Sequence, residues 1–203
     1  MTPLQVAAGV ANLDAVRLLL KYGAQVNAPP GDEFGRTALQ MAVCGKYPED
    51  TSAMVELLLS LGADVNAPPA RKGGITALQG AAISGDICIV KKLLDLGADV
   101  NAAPAAKDGR TAIEGAAEHG RLDMVRFLIS VGAVGDVEKG FSRAIELAEN
   151  ENHFTIADFL RDQQGFSAGF GMGDDVFGGD LFSQVPMPGF VFSEENLENF
   201  TFQ

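Results

Sequence analysis

A short segment that begins with threonine recurs along the chain and constrains the fold more than any other feature of the sequence. It is Thr-Pro-Leu-Gln at residues 2–5, Thr-Ala-Leu-Gln at 37–40 and 76–79, and Thr-Ala-Ile-Glu at 111–114. The four threonines are 35, 39 and 35 residues apart. A period in this range is typical of helical units that bury their apolar faces by stacking on one another. The chain is therefore predicted to be a repeat array, a class that binds other molecules more often than it catalyses reactions.

Each repeat predicts a pair of helices. Thr followed three residues later by Gln or Glu forms a capping box, which begins a helix by satisfying backbone N–H groups at its first turn. A second helix follows, with an aliphatic stripe at the i, i+3, i+4 spacing of a buried face. We expect the stripe residues to be core residues: Val16, Leu19 and Leu20, then Val55, Leu58 and Leu59, then Val90, Leu93 and Leu94.

Glycine follows each predicted second helix, at a place where a left-handed residue ends a helix without steric cost. These glycines are Gly23, Gly62, Gly97 and Gly132. Three of them open a Gly-Ala-x-Val-Asn-Ala segment that leads into a stretch containing Pro and Gly. We interpret each such stretch, which runs back to the next threonine, as a hairpin-like finger.

The order Thr-x-Leu-x-x-Ala-Ala, Val-x-x-Leu-Leu and Gly-Ala-x-Val-Asn resembles the ankyrin repeat over roughly residues 2–161. The resemblance implies an all-α fold, an ankyrin-repeat α-solenoid of about five helix-turn-helix units with hairpin-like fingers. The predicted units are residues 2–35, 36–74, 75–109 and 110–140, with a capping unit at 141–165. The long fingers and the Thr-Ala-Leu-Gln segment are also similar to arrays appended to large fungal signalling proteins of the NACHT type.

Two units depart from the common pattern. Residues 46–52 account for four extra residues in the second unit and are predicted to lengthen the turn between its helices. The fifth unit is polar and shortened, as expected of a terminal cap that shields the last apolar face. Because Met1 leads straight into the first repeat without such a cap, we expect either a fragment of a longer chain or an exposed first repeat.

Residues 166–203 differ in character from the array and are predicted to form a flexible, disordered C-terminal tail. They contain eight of the 13 Phe and six acidic residues, but no Lys or Arg, and they show no helical or strand periodicity. One interpretation is an inert terminus; the others are docking on a partner or an intramolecular contact with the array. The candidate docking residues are Phe177, Asp180, Leu181 and Phe182.

The charge of the chain argues against nucleic acid as a direct partner. The net charge is −12, and the array without the tail still carries 21 acidic side chains (27 minus the six of the tail) against 15 basic ones. Binding to phosphate requires a concentrated basic face. The finger segments are a local exception, since Arg36, Arg71, Lys72, Lys107 and Arg110 recur there. They predict either a basic ridge beside a binding groove or a solvated edge without a specific partner.

The resemblance also implies a concave groove, whose floor would come from variable positions late in each first helix. These positions, called here the groove floor, are Gly9 and Val10, Cys44 and Gly45, Ile83 and Ser84, and Glu118 and His119. Val10 and Ile83 would be apolar anchors for a protein partner, and Phe34 at a finger tip is a further candidate. The alternative is that any one of these side chains is a neutral surface residue.

No pattern in the sequence indicates catalysis, a cofactor or a metal. His119 and His153 are predicted to be exposed turn residues without a Cys or Ser partner, and no Cys/His metal spacing is present. Cys44 and Cys88 are interpreted as reduced thiols, which favours a cytoplasmic or nuclear location. The chain has no apolar run near the length of a membrane span.

The sequence therefore predicts a non-enzymatic module, a scaffold or adaptor that binds a protein partner through the first-helix face and the fingers. A transcriptional co-regulator with an acidic and aromatic activation tail is the alternative from another functional class. A third possibility is the C-terminal sensing end of a larger signalling protein.

Overall fold

The computed structural model of the chain describes residues 1–45, 48–135 and 141–168. Within these residues the protein consists of ten helices in five consecutive pairs. The pairs are α1 (Pro3–Gly9) and α2 (Leu13–Lys21), α3 (Ala38–Val43) and α4 (Pro48–Ser60), α5 (Ala77–Ser84) and α6 (Ile87–Asp95), α7 (Ala112–Glu118) and α8 (Leu122–Ser130), and α9 (Ser142–Asn150) and α10 (Phe154–Ala168). The first helix of each pair packs on the first helix of the next.

The predicted capping boxes begin α1, α3, α5 and α7. In each, the Thr hydroxyl accepts a hydrogen bond from the backbone N–H three residues later, and the Gln or Glu side chain accepts one from the Thr N–H. Pro3 occupies the first turn of α1, as expected. The four glycines after the second helices have φ between +82° and +90°, so their left-handed conformation is confirmed as well.

A continuous apolar core runs through the described part of the stack. Leu58 and Leu93 are fully buried, as are the small pairs of the first helices such as Ala81 and Ala82. Small residues let adjacent first helices approach closely: a Cβ atom on Gly80 would lie 2.8 Å from the Val43 side chain, and one on Gly115 would lie 2.6 Å from Ile83. Burial of each large aliphatic side chain stabilises the stack by about 1.5 to 3 kcal/mol.

The predicted stripe is not buried along its whole width. Val16, Leu58 and Leu93 lie in the core, whereas the last residue of each stripe is half-buried and packs at the core's edge; these residues are Leu20, Leu59 and Leu94. Leu19 of the first unit is also only half-buried. The prediction that every stripe residue is a core residue is therefore wrong at these four positions, which are partly buried and pack against the core from its edge.

Residues 48–52, which belong to the insertion of the second unit, are helical. We expected them to lengthen the turn, but α4 begins at Pro48 and has 13 residues, against nine in α2, α6 and α8. Pro at the first helical position and acidic residues in the first turn favour helix initiation there. Because Val55 corresponds to Val16 of α2, the insertion adds about one helical turn at residues 48–51, in which Thr51 is buried.

The fifth pair ends the described array. Its second helix, α10, has 15 residues and continues to Ala168, so residues 166–168, which the sequence assigned to the tail, are helical. His153 lies between α9 and α10 and is half-buried, because its ring packs against Gly120 of the preceding unit. The expectation that His153 is exposed is therefore wrong, whereas His119 is exposed as predicted.

Consecutive fingers are joined by an asparagine that pairs with the next repeat. Asn27 donates from Nδ2 to the carbonyl oxygen of Gly62 (2.9 Å) and accepts from the backbone N–H of Asp64 at Oδ1 (2.8 Å). Asn66 and Asn101 repeat this pattern toward the third and fourth units. Each side chain therefore satisfies one backbone acceptor and one donor across a repeat boundary.

Candidate functional site

The finger tips are held in register by short parallel bridges. Lys72 pairs with Glu33 of the previous finger on one side and with Lys107 of the next finger on the other. The backbone N–H of Phe34 donates to the carbonyl oxygen of Lys72 at 2.8 Å, and that of Gly73 donates to the carbonyl oxygen of Lys107 at 2.9 Å. Successive fingers therefore present equivalent positions side by side.

The same register limits the basic ridge that the sequence suggested. Lys72 and Lys107 stand in one row, but the first finger places the acidic Glu33 in that row. Arg71 is one position away from the row, where the first finger has Asp32. The row is therefore acidic at the first finger and basic at the next two.

Phe34 is a 60% exposed aromatic residue at the tip of the first finger. Its backbone is left-handed (φ +51°), which costs a non-glycine residue free energy, and its ring lies against Gly73 of the next finger. A Cβ atom on Gly73 would lie 2.4 Å from that ring, so only glycine permits this approach. The Lys72 ammonium lies 5.5 Å from the ring centroid, within the range of a cation–π interaction.

Arg36 and Arg110 occupy equivalent positions, each directly before a helix-capping threonine, but their surroundings differ. Arg110 forms a bidentate ion pair with Glu118, in which Nε donates to Oε2 at 2.9 Å and an Nη group donates to Oε1 at 3.0 Å. In the second unit the position of Glu118 is held by Cys44. Within the described residues, the buried Nε of Arg36 has no hydrogen-bond partner.

Cys44 connects Arg36 with the groove floor. Burial raises the pKa of the Cys44 thiol, and the positive charge of Arg36 opposes this rise in pKa. The thiol also packs toward the next unit, since a Cβ atom on Gly80 would lie 3.1 Å from its Sγ. Cys44 is thus a neutral group beside a cation, where the equivalent position of the fourth unit holds a carboxylate.

The remaining groove-floor residues lie where the sequence placed them but differ in exposure. Val10 is 54% exposed and His119 is exposed, with its Nδ1 3.0 Å from the carbonyl oxygen of Gly115. Ile83 is half-buried against Gly115, and Glu118 forms an ion pair with Arg110. An open depression of about 370 Å³ lies between the second and third units. Its lining includes Val43, Gly45, Thr51, Ser84, Asp86 and Ile89.

Two contacts in this region were not anticipated from the sequence. Gln40 is fully buried, and its Nε2 donates to the carbonyl oxygens of Ala67 and Pro68 at 2.8 and 3.2 Å, so it ties the helix start to the following finger. Gln5 and Gln79 act in the same way. In the fourth unit Glu114 replaces Gln, and Arg143 lies 3.6 Å from its carboxylate. The change from Gln to Glu was the available signal for this difference.

The tail candidates Phe177, Asp180, Leu181 and Phe182 lie outside the described residues, so tail docking and an intramolecular contact remain predictions. The described residues contain no group of three or more side chains suited to hold a metal ion. None of the described helices is both long and apolar enough to cross a membrane.

The paired helices, stacked core and bridged fingers define a helical repeat protein of the solenoid class. A family model described as ankyrin repeats matches three times, at residues 1–69, 50–139 and 78–168. The chain therefore belongs to the ankyrin-repeat family, and the predicted fold is confirmed. Comparison with curated proteins gives no match. Ankyrin repeats are generally protein–protein interaction modules and typically lack enzymatic activity; the narrower NACHT-type likeness remains a prediction.

Proposed function

We propose that the protein is a non-enzymatic adaptor that binds a protein partner through the groove floor and the adjacent fingers. One observation carries the proposal: the contacts between repeats use the core, capping-box and asparagine positions, and they leave Val10 and His119 exposed at the ends of the first helices of the first and fourth units. The stack fixes these side chains relative to one another, so a partner would meet a preorganised surface. Phe34 adds an exposed aromatic side chain at the finger tip.

A matched pair of variants tests which face binds. Val10 and Leu18 are both 54% exposed, but Val10 follows a first helix and Leu18 lies on a second helix. The full-length protein, Val10→Asp and Leu18→Asp are each used as bait, and captured proteins are compared by quantitative mass spectrometry. We expect specific partners to be retained by Leu18→Asp and lost by Val10→Asp. Equal retention by both variants, or equal loss, would contradict binding at the groove floor.

The transcriptional alternative depends on residues 166–203. It is tested separately by fusing this segment to a DNA-binding domain and measuring a reporter. Activation would support a co-regulator, whereas an adaptor requires none.

A further inference from the structure

The contrast between Arg36 and Arg110 shows a binding position that the fold leaves incomplete. Glu118, eight residues after Arg110, supplies a carboxylate that accepts two hydrogen bonds from the Arg110 guanidinium. Arg36 has Cys44 at the equivalent place, and its buried Nε meets no acceptor within residues 1–45, 48–135 and 141–168. A buried donor on a charged group is normally paired, because leaving it unpaired destabilises the fold.

The missing group is best supplied by a carboxylate. A guanidinium is planar, remains charged and matches the two oxygens of a carboxylate, as the Arg110 pair demonstrates in this protein. Cys44 is smaller than Glu and neutral, so it supplies no carboxylate of the kind that Glu118 provides in the fourth unit. Arg36 as a whole is only half-buried, and Val43 and Gly45, on either side of Cys44 in the sequence, line an open depression.

Neighbouring charges favour an acidic peptide over other anions. Lys72 and Lys107 stand in one row at the second and third finger tips, and no ion pair involves either of them within the described part of the chain. The acids on this side include Asp32 and Glu33 at the first finger tip, Asp108 directly after Lys107, and Asp86, whose carboxylate caps α6 by accepting from the Ile89 N–H. The chain's net charge of −12 opposes binding of a long polyanion such as nucleic acid. A short acidic segment is affected mainly by the charges close to its binding site, which here include Arg36, Lys72 and Lys107.

We propose that Arg36 binds the carboxylate of an Asp or Glu side chain in an acidic segment of a separate protein partner, beside Cys44. This inference rests on the proposed function and specifies the chemistry of the partner. We commit to a partner in trans because Arg36 begins the second unit, whereas the acids of this chain's own tail follow the fifth. Binding at Arg36 through the chain's own tail is an outcome of the test.

Peptide selection tests the proposal with the full-length protein. Short random peptides displayed on phage are selected against it, and the enriched peptides are synthesised and titrated against four proteins: the parent, Arg36→Gln, Cys44→Glu and Arg110→Gln. Arg36→Gln keeps the aliphatic part of the side chain but removes the charge. Cys44→Glu supplies an internal carboxylate like Glu118, and Arg110→Gln is the control at the equivalent position. Circular dichroism shows whether each variant is folded. If Cys44→Glu does not fold, the conclusion rests on the binding measured for Arg36→Gln.

We expect the enriched peptides to share an acidic residue whose change to Asn or Gln weakens binding about tenfold or more, the effect of losing one charge-assisted bidentate contact. Arg36→Gln should weaken binding as much, and the peptide and protein changes should not add, because they remove the same interaction. Cys44→Glu should also block binding, and Arg110→Gln should not.

Three outcomes would overturn the proposal. Peptides without an essential acid, or peptides that bind Arg36→Gln as well as the parent, would refute the role of Arg36; if they still depend on Val10, the proposed function stands. Failure to enrich any peptide that depends on Arg36 or Val10 would refute both. A synthetic peptide of residues 172–183 that binds Arg36 more tightly than the selected peptides would assign the site to the chain's own tail.

Discussion

Replacing Gln40 by Glu is the sharpest perturbation of the link between a helix start and its finger. Gln40 is fully buried, and its Oε1 accepts from the Thr37 N–H at 3.0 Å while its Nε2 donates to the carbonyl oxygens of Ala67 and Pro68. A carboxylate keeps the first contact, as Glu114 shows toward Thr111 in the fourth unit. It loses the donor and places a negative charge against two carbonyl oxygens.

The size of the effect is bounded by two costs. Loss of the Nε2 donor costs about 1 to 3 kcal/mol, because buried carbonyl oxygens lose their partner. The cost of burying the charge has an upper limit, because the carboxyl can become protonated in the folded protein instead. Protonating a carboxyl with an ordinary pKa of about 4.3 requires about 3.7 kcal/mol at pH 7. A protonated carboxyl also restores one donor to the carbonyl oxygens. We therefore expect Gln40→Glu to lower the free energy of unfolding by about 2 to 4 kcal/mol at pH 7.

This destabilisation should depend on pH in a defined direction. The buried site raises the pKa of the new carboxyl above its unfolded value, so the variant's stability is highest at low pH and is lost as the pH rises through that raised pKa. Between pH 7.5 and 5.5, the deficit relative to the parent should shrink by up to about 1.4 kcal/mol per pH unit. This range stays above the isoelectric point, which lies at about 4.5.

Urea unfolding followed by circular dichroism at several pH values measures both effects. Glu114→Gln is the matched control: Glu114 is buried like Gln40, but it lies 3.6 Å from the half-exposed Arg143 and the first three units carry Gln at this position, so the change should alter the unfolding free energy by less than about 1 kcal/mol. A Gln40→Glu protein within about 0.5 kcal/mol of the parent at pH 7, with no pH dependence of the difference, would refute the reasoning.

Three further predictions concern packing, repeat coupling and thiol chemistry. Leu93→Ala should lower the free energy of unfolding by about 2 to 5 kcal/mol, because Leu93 is fully buried between helices; a midpoint unchanged in urea would contradict its core position. Asn66→Ala removes two hydrogen bonds across a repeat boundary and should cost about 1 to 3 kcal/mol, with faster amide exchange at the Asp99 N–H; unchanged exchange there would contradict the link. Cys88 is exposed, whereas burial raises the pKa of the Cys44 thiol, so a thiol reagent at pH 8 should modify Cys88 first and Cys44 only slowly until urea is added; equal rates in the native protein would refute this order.

Features that depend on a few neighbouring residues were predictable from the sequence. Thr37 and Gln40 form a capping box because both groups belong to one helical turn, and Gly62 ends a helix because its own backbone permits positive φ. The buried stripe was predictable at Leu58 and Leu93 for the same reason: the helical period alone brings these positions to one face. Repetition of these signals at a fixed spacing was sufficient to identify the family.

The candidate site was predictable as a set of positions but not as a set of interactions. The sequence grouped Arg36 with Arg110, since both precede a capping threonine. Only the packed structure shows that Arg110 is neutralised by Glu118, whereas the Arg36 Nε is buried beside a thiol without an acceptor. Which carboxylate lies within hydrogen-bond distance of a guanidinium depends on side-chain positions at sub-ångström precision, and no spacing rule specifies these.

By itself, the sequence determined the repeat, the starts of α1, α3, α5 and α7, the glycines that follow the second helices, and core positions such as Leu58 and Leu93, because each follows from interactions within one or two helical turns. Only the tertiary structure decided that Gln40 ties a helix start to the next finger, that Asn66 bridges two repeats, and that the insertion extends α4. These contacts join residues about 27 to 33 positions apart or depend on how helices stack. Their partners are fixed only when the stacked core has set the distance between neighbouring units.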